Sequence, residues 1–121
     1  MKAADTGRDA EAYACDYLLA QGLTLLTRNF HSRHGEIDLV MDDGQTLVFI
    51  EVRYRSGIAF GSGAESVDRR KQARITACAQ YYLLKNPAAS QRPCRFDVVA
   101  ISGAGKRRNI QWIRDAFPAL G

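Results

Sequence analysis

The segment GEIDLVMDDGQTLVFIEVR, residues 35–53, decides the fold. Two apolar arms, GEIDLVM and TLVFIEV, flank Asp42-Asp43-Gly44. An Asp-Gly turn between β-rich arms is a strong hairpin signal. In the second arm Val48, Ile50 and Val52 share one face, and Phe49, Glu51 and Arg53 share the other. Glu36 and Asp38 share a face of the first arm. Acids are depleted in strands and rarely buried without a partner, so their placement here is informative. A hairpin folded at Asp43-Gly44 sets residue 42 against 47, and therefore 38 against 51. Cross-strand partners have Cβ atoms about 4.5–5.5 Å apart. Two carboxylates that close repel by about 3 kcal/mol at an effective dielectric near 20. A cation, a proton or a metal has to offset that repulsion.

On the N-terminal side, residues 6–21 read as a helix, with Ala10, Tyr13, Ala14, Tyr17 and Leu18 as its apolar stripe. Thr6 with Asp9 resembles a capping box, and Gly22 is a natural stop. LTLLTRNF, residues 23–30, reads as a strand, followed by a polar loop, HSRHG. On the C-terminal side, SGIAFGSGA, residues 56–64, reads as a surface loop. A helix is expected over about 66–85, with Ile75, Cys78, Ala79, Tyr82 and Leu83 inward and Asn86-Pro87 ending it. RFDVVAIS is a strand and RRNIQWI a short one, and Arg114 to Leu120 reads as a tail with one helical turn before Pro118.

The order α-β-β-β-α-β-β predicts an α/β (α+β) three-layer sandwich with a mixed sheet. The antiparallel hairpin feeds a parallel pair through a β-α-β crossover. A chain of 121 residues has room for one domain, spanning 1–121.

Composition excludes several classes. Hydrophobic residues make up 46% and charged residues 25%, too apolar for a disordered chain. No apolar run reaches the roughly 18 residues a membrane span needs, and Met1 to Asp9 does not read as a signal peptide. Cys15, Cys78 and Cys94 are odd in number and far apart, so free and largely buried thiols in a reducing cytoplasm are expected. His31 and His34 lack further ligands beside them and read as solvated loop residues. The net charge of +4 permits nucleic-acid binding. Its distribution says more: Arg53 with Arg55, then Arg69, Arg70, Lys71 and Arg74, then Lys106 to Arg108.

Oxygen-only ligands in a half-buried cleft suit Mg²⁺ or Mn²⁺. Asp38 and Glu51 are the candidate pair, Arg53 points into the same site, and Glu11 lies at the flank of the first helix's stripe. The alternative is structural ion pairing, with Glu51 on Arg53, Asp38 on Arg28 or Arg33, and Glu36 solvated.

An Asp, a turn, and Glu-x-Lys on the next strand resemble the core of the PD-(D/E)xK, or restriction-endonuclease-like, nuclease superfamily, whose minimal fold is αβββαβ. More closely, the chain resembles the bacterial YraN family, which is similar to archaeal Holliday-junction resolvases. The matching pieces are GRDAE (7–11), LTRNF (26–30), GEIDLV (35–40), LVFIEVRYR (47–55), FG (60–61), the segment around Lys71 and Arg74, RFDVVA (95–100) and IQWIRDAF (110–117). The resemblance implies that Asp38 and Glu51 ligate the metal and that Glu11 is the helix-borne glutamate of the resolvase-like branch. It puts Arg53 at the motif's lysine position and Glu36 near the metal. It puts Arg55, Lys71 and Arg74 on DNA phosphate or in support of the site. Arg69 and Arg70 join them as candidate nucleic-acid contacts. Arginine cannot shift its pKa and serve as a base, so Lys71 is the candidate replacement.

Three functions are expected from these readings. The first is a metal-dependent endonuclease acting on DNA, with branched structures among the substrates. The second is a catalytically inactive nucleic-acid-binding module. The third is a homodimeric interaction protein using Ile58-Ala59-Phe60 or Trp112.

Overall fold

The hairpin forms as the pattern requires. In the computed structural model, β2 (Gly35–Asp42) and β3 (Leu47–Arg55) pair antiparallel, from Asp42↔Leu47 to Leu39↔Ile50. The structure describes residues 6–55, 67–103 and 105–119, with the side chains of 6–8 and 55 outside that description. The turn is closed by its own aspartates. Asp42 Oδ1 accepts the Gly44 N–H at 2.7 Å, and Asp43 Oδ1 accepts the Thr46 N–H at 2.7 Å.

The remaining elements are α1 (Thr6–Ala20), β1 (Thr24–Ser32), α2 (Arg69–Lys85), β4 (Cys94–Ser102) and β5 (Asn109–Phe117), with a 3₁₀ turn at Pro87–Gln91. The sheet order is β1-β2-β3-β4-β5. Every neighbouring pair is antiparallel except β3 with β4, which run parallel from Leu47↔Cys94 to Arg55↔Ser102. Helix α2 is the crossover that a parallel pair demands.

The two helices cover opposite faces of the sheet, because adjacent residues of β3 enter different cores. Val48 and Ile50 pack with Ala10, Ala14, Cys15 and Leu18 of α1. Phe49 packs with Ile75, Cys78, Ala79 and Tyr82 of α2. Full burial of each large apolar side chain contributes about 1.5–3 kcal/mol. Helix α1 ends in a Schellman turn: Gly22 has φ +103°, its N–H bonds the Leu19 carbonyl, and the Leu23 N–H bonds the Leu18 carbonyl. Asp68 caps α2, its Oδ1 accepting the Lys71 N–H at 2.8 Å. Among the described residues no helix is long and apolar enough to cross a membrane.

The structure corrects three expectations. The polar loop at 31–35 is a two-residue turn, because β1 continues through Ser32, which pairs with Gly35. The last strand is not short, and no helical turn precedes Pro118: β5 runs unbroken to Phe117. Its alternation is disguised by a bulge opposite Asp97, where Asp115 takes φ 51°. Cys94 is exposed, whereas Cys15 and Cys78 are buried. Asp9 contacts Arg108 across the fold at 3.0 Å, and the Thr6 half of the capping box lies outside the described side chains.

Candidate functional site: a buried carboxylate pair

The paired register of β2 on β3 ends at Leu39↔Ile50, so the next positions along the two strands are Asp38 and Glu51. There the side chain takes over from the backbone ladder: Asp38 Oδ2 accepts the Val52 N–H at 2.8 Å. Asp38 is 7% exposed and Glu51 6%. Among the described residues the Val52 bond is the one that Asp38 accepts. Arg28 and Arg33 form no ion pair with Asp38.

The cost of this burial appears in the proton affinity of Asp38. Its carboxyl is pushed from 3.8 up to about 8, first by burial and then by the charge of Glu51. Glu11 and Glu36 add smaller pushes in the same direction, and the Val52 hydrogen bond opposes them. The field of Glu11 reaches Asp38 from α1, which lies on the opposite side of the sheet from α2. Glu11 is half-buried. Among the described residues no three His, Cys, Asp or Glu side chains gather into a metal-holding group, so Glu11 does not close a three-ligand set.

Glu51 is compensated differently. Arg53 Nη1 lies 3.2 Å and Lys71 Nζ 3.4 Å from the same oxygen, Oε2. Arg53 arrives by the period of the strand, and Lys71 arrives from the first turn of α2, just past the Asp68 cap. The ion pair between Glu51 and Arg53 weighed from spacing is present, and Lys71 joins it. Glu36 is on the surface, with its Oε1 3.3 Å from His31 Nδ1.

Asp38, Glu51, Arg53 and Lys71 thus come together. Arg69, Arg70 and Arg74 lie on the exposed surface of α2. Arg74 sits beside the hairpin tip, its Cβ 3.8 Å from where a side chain on Gly35 would begin. Arg55 pairs with Ser102 at the end of β3, and its side chain lies outside the described set. Ile58, Ala59 and Phe60 also lie outside the described residues. Trp112 is committed within the chain, edge-on to Tyr17 and donating Nε1–H to Asp97 Oδ2 at 2.9 Å.

That last bond belongs to a cluster the sequence reading passed over. Asp97 is fully buried and also accepts from Arg95 Nε at 3.0 Å and from the Asp115 N–H at 2.9 Å. Arg95 reaches on to Asp43 at 2.7 Å, tying β4 to the hairpin turn. The signal was available, since Arg95 and Asp97 repeat the cation–acid spacing of Glu51 and Arg53 in an apolar strand.

The donor set at the pair is two hard carboxylate oxygens. It fits a small divalent cation that keeps several waters. The raised proton affinity of Asp38 is the mark of negative charge that lacks a full local counter-ion.

The molecule is therefore a mixed α/β domain with a buried acidic pair at a fork between two strands. Residues 10–101 match the family described as Uncharacterised protein family UPF0102. A UPF0102 protein of Nitrosococcus oceani is 53% identical over 113 residues, which is 93% of this chain and 91% of that protein. Similar proteins of Stutzerimonas stutzeri and Saccharophagus degradans are each 51% identical, over 93% of this chain and 93% and 92% of their own. The chain belongs to the UPF0102 (YraN) family.

Proposed function

We propose that this protein is a metal-dependent endonuclease of the PD-(D/E)xK kind acting on DNA, with branched structures among its substrates. The observation that carries this reading is the buried Asp38 carboxyl, pushed up to about 8 beside Glu51. Groups displaced that far cluster at functional sites. Asp38 and Glu51 would hold Mg²⁺ or Mn²⁺, which when bound supplies Lewis-acid polarisation of a phosphate and a water of lowered pKa. Arg53 holds fixed positive charge beside Glu51, where it can stabilise charge developing on phosphate oxygens. It cannot accept a proton at any working pH. Lys71 brings a second cation to the same carboxylate from the helix.

The same two cations favour a second reading. Arg53 and Lys71 already neutralise Glu51 through Oε2, as a site that binds nucleic acid without cleaving it would require.

Titration calorimetry with Mn²⁺, with and without a short duplex, tests the first reading. Wild type binds, and the double variant Asp38→Asn with Glu51→Gln does not. Cleavage of branched and linear duplexes is then followed for wild type and Glu51→Ala. Equal rates in purified, contaminant-free samples overturn the endonuclease reading. Salt-dependent binding without cleavage under any metal establishes the second reading.

A further inference from the structure

The tip of the β1–β2 hairpin and the outer side of α2 enclose a cavity of about 510 Å³, lined by His31, Ser32, Arg33, His34, Tyr81 and Leu84. It is separate from the carboxylate pair. Its apolar floor is unusual for a surface, since Leu84 is 78% exposed and Tyr81 is 38% exposed. Tyr81 leans on Phe30, with ring centres 6.0 Å apart, and Lys85 Nζ sits 5.4 Å from the Tyr81 ring centre. The tip is held in shape by the His34 N–H donating to Ser32 Oγ at 3.0 Å.

The cavity is joined to the pair by one face of α2. Arg70, Arg74, Tyr81 and Lys85 are all exposed and fall within about 60° of one another around the helix axis. From Lys71 at the pair to Tyr81 at the cavity is about 15 Å along the helix. Among the described residues Arg33, Arg70 and Arg74 form no ion pair, and the acid near this face is Glu36, held by His31. A row of cations without ion pairs, ending at a partly exposed tyrosine ring beneath Lys85, matches a polyanion that carries flat rings.

We propose that this cavity receives an unpaired nucleotide of a nucleic-acid strand whose backbone follows the cationic face of α2. The base stacks on Tyr81, and its phosphate meets Arg33. The inference rests on the reading of the protein as acting on nucleic acid, and it specifies the substrate as one with an unpaired base about 15 Å, nearly three turns of α2, from its phosphates at the pair.

The test uses the whole protein in EDTA, so that cleavage plays no part. Two probes are compared by anisotropy: a blunt duplex, and the same duplex with a short single-stranded tail carrying 2-aminopurine. Wild type should prefer the tailed probe and quench the aminopurine. Tyr81→Ala should weaken the tailed complex by about 5- to 150-fold, the range that base–aromatic stacking gives, and should abolish the quench. Tyr81→Phe should retain both. Arg33→Ala should lower the salt slope for the tailed probe by about one phosphate. Circular dichroism and melting establish that the variants fold. Equal binding of both probes by wild type, or an unchanged quench in Tyr81→Ala, overturns the cavity assignment and leaves the proposed function standing. Failure of wild type to bind either probe overturns both. Tyr81-dependent binding of an acidic peptide that excludes the oligonucleotide gives the cavity to a protein partner and also overturns the assignment.

Discussion

Replacing Asp38 by Asn removes a charge and leaves an oxygen to accept the Val52 N–H. A carboxyl with a raised pKa keeps its proton in the folded protein after the unfolded chain has released its own. Between pH 3.8 and about 8 the folded state therefore binds the extra proton. Unfolding free energy falls as pH rises through that window. At about 1.4 kcal/mol per unit, the displacement of Asp38 sets a ceiling of about 6 kcal/mol. That is comparable with the whole stability of a small domain, about 5–15 kcal/mol. Urea unfolding in EDTA should show wild type and Asp38→Asn nearly equal at about pH 4, at the acid edge of the window. The Asn variant should become the more stable by several kcal/mol near pH 8.5, up to about that ceiling. Added Mn²⁺ should stabilise wild type at the higher pH and leave the variant unchanged. A stability difference that does not vary with pH would refute the reasoning, because it would mean that Asp38 is ionised at little cost in the fold.

Three further outcomes follow from the same geometry. Glu51 has two cations, so Arg53→Ala or Lys71→Ala alone should cost about 1 kcal/mol, while the double substitution should approach about 3–5 kcal/mol by leaving a buried charge unpaired; a double-mutant cycle in urea measures the excess. Asp97→Ala should cost about 3–5 kcal/mol, since it orphans Arg95 Nε, Trp112 Nε1 and the Asp115 N–H together, and loss of the Trp112 near-ultraviolet signal should accompany it. Gly103→Ala should destabilise by more than about 2 kcal/mol in a thermal melt, because φ is +77° and the added Cβ would lie 2.4 Å from the Arg107 carbonyl oxygen.

The acidic pair sits where regular pairing gives way to side-chain bonding, and this is physically sensible. A backbone N–H that leaves the ladder needs an acceptor, and Asp38 supplies it for Val52. The same position lets charges from the two faces of the sheet act on the two members of the pair. Glu11 reaches it from the α1 side, while Lys71 answers Glu51 from the α2 side. Burial that costs stability is retained where charge is useful, which is the pattern of functional strain.

Local patterning alone was enough for much of this protein. The helical stripes of α1 and α2 were legible because a 3.6-residue period sorts side chains by face. The register that brings Asp38 to Glu51 was legible because a hairpin about a known turn has only one pairing sum. The parallel neighbour of β3 followed from the length of the helical crossover. Other features needed the tertiary structure. Lys71 meets Glu51 only because α2 docks with its capped first turn over β3, and no spacing along the chain encodes that approach. The full length of β5 was hidden because Asp115 leaves the alternation, and the reason it does so is a carboxylate on another strand, Asp97, that captures its N–H. The proton affinity of Asp38 was likewise out of reach, since it depends on burial within the fold and on charges that converge from three separate elements. Periodicity is a property of neighbours in the chain, whereas desolvation and charge convergence are properties of neighbours in space.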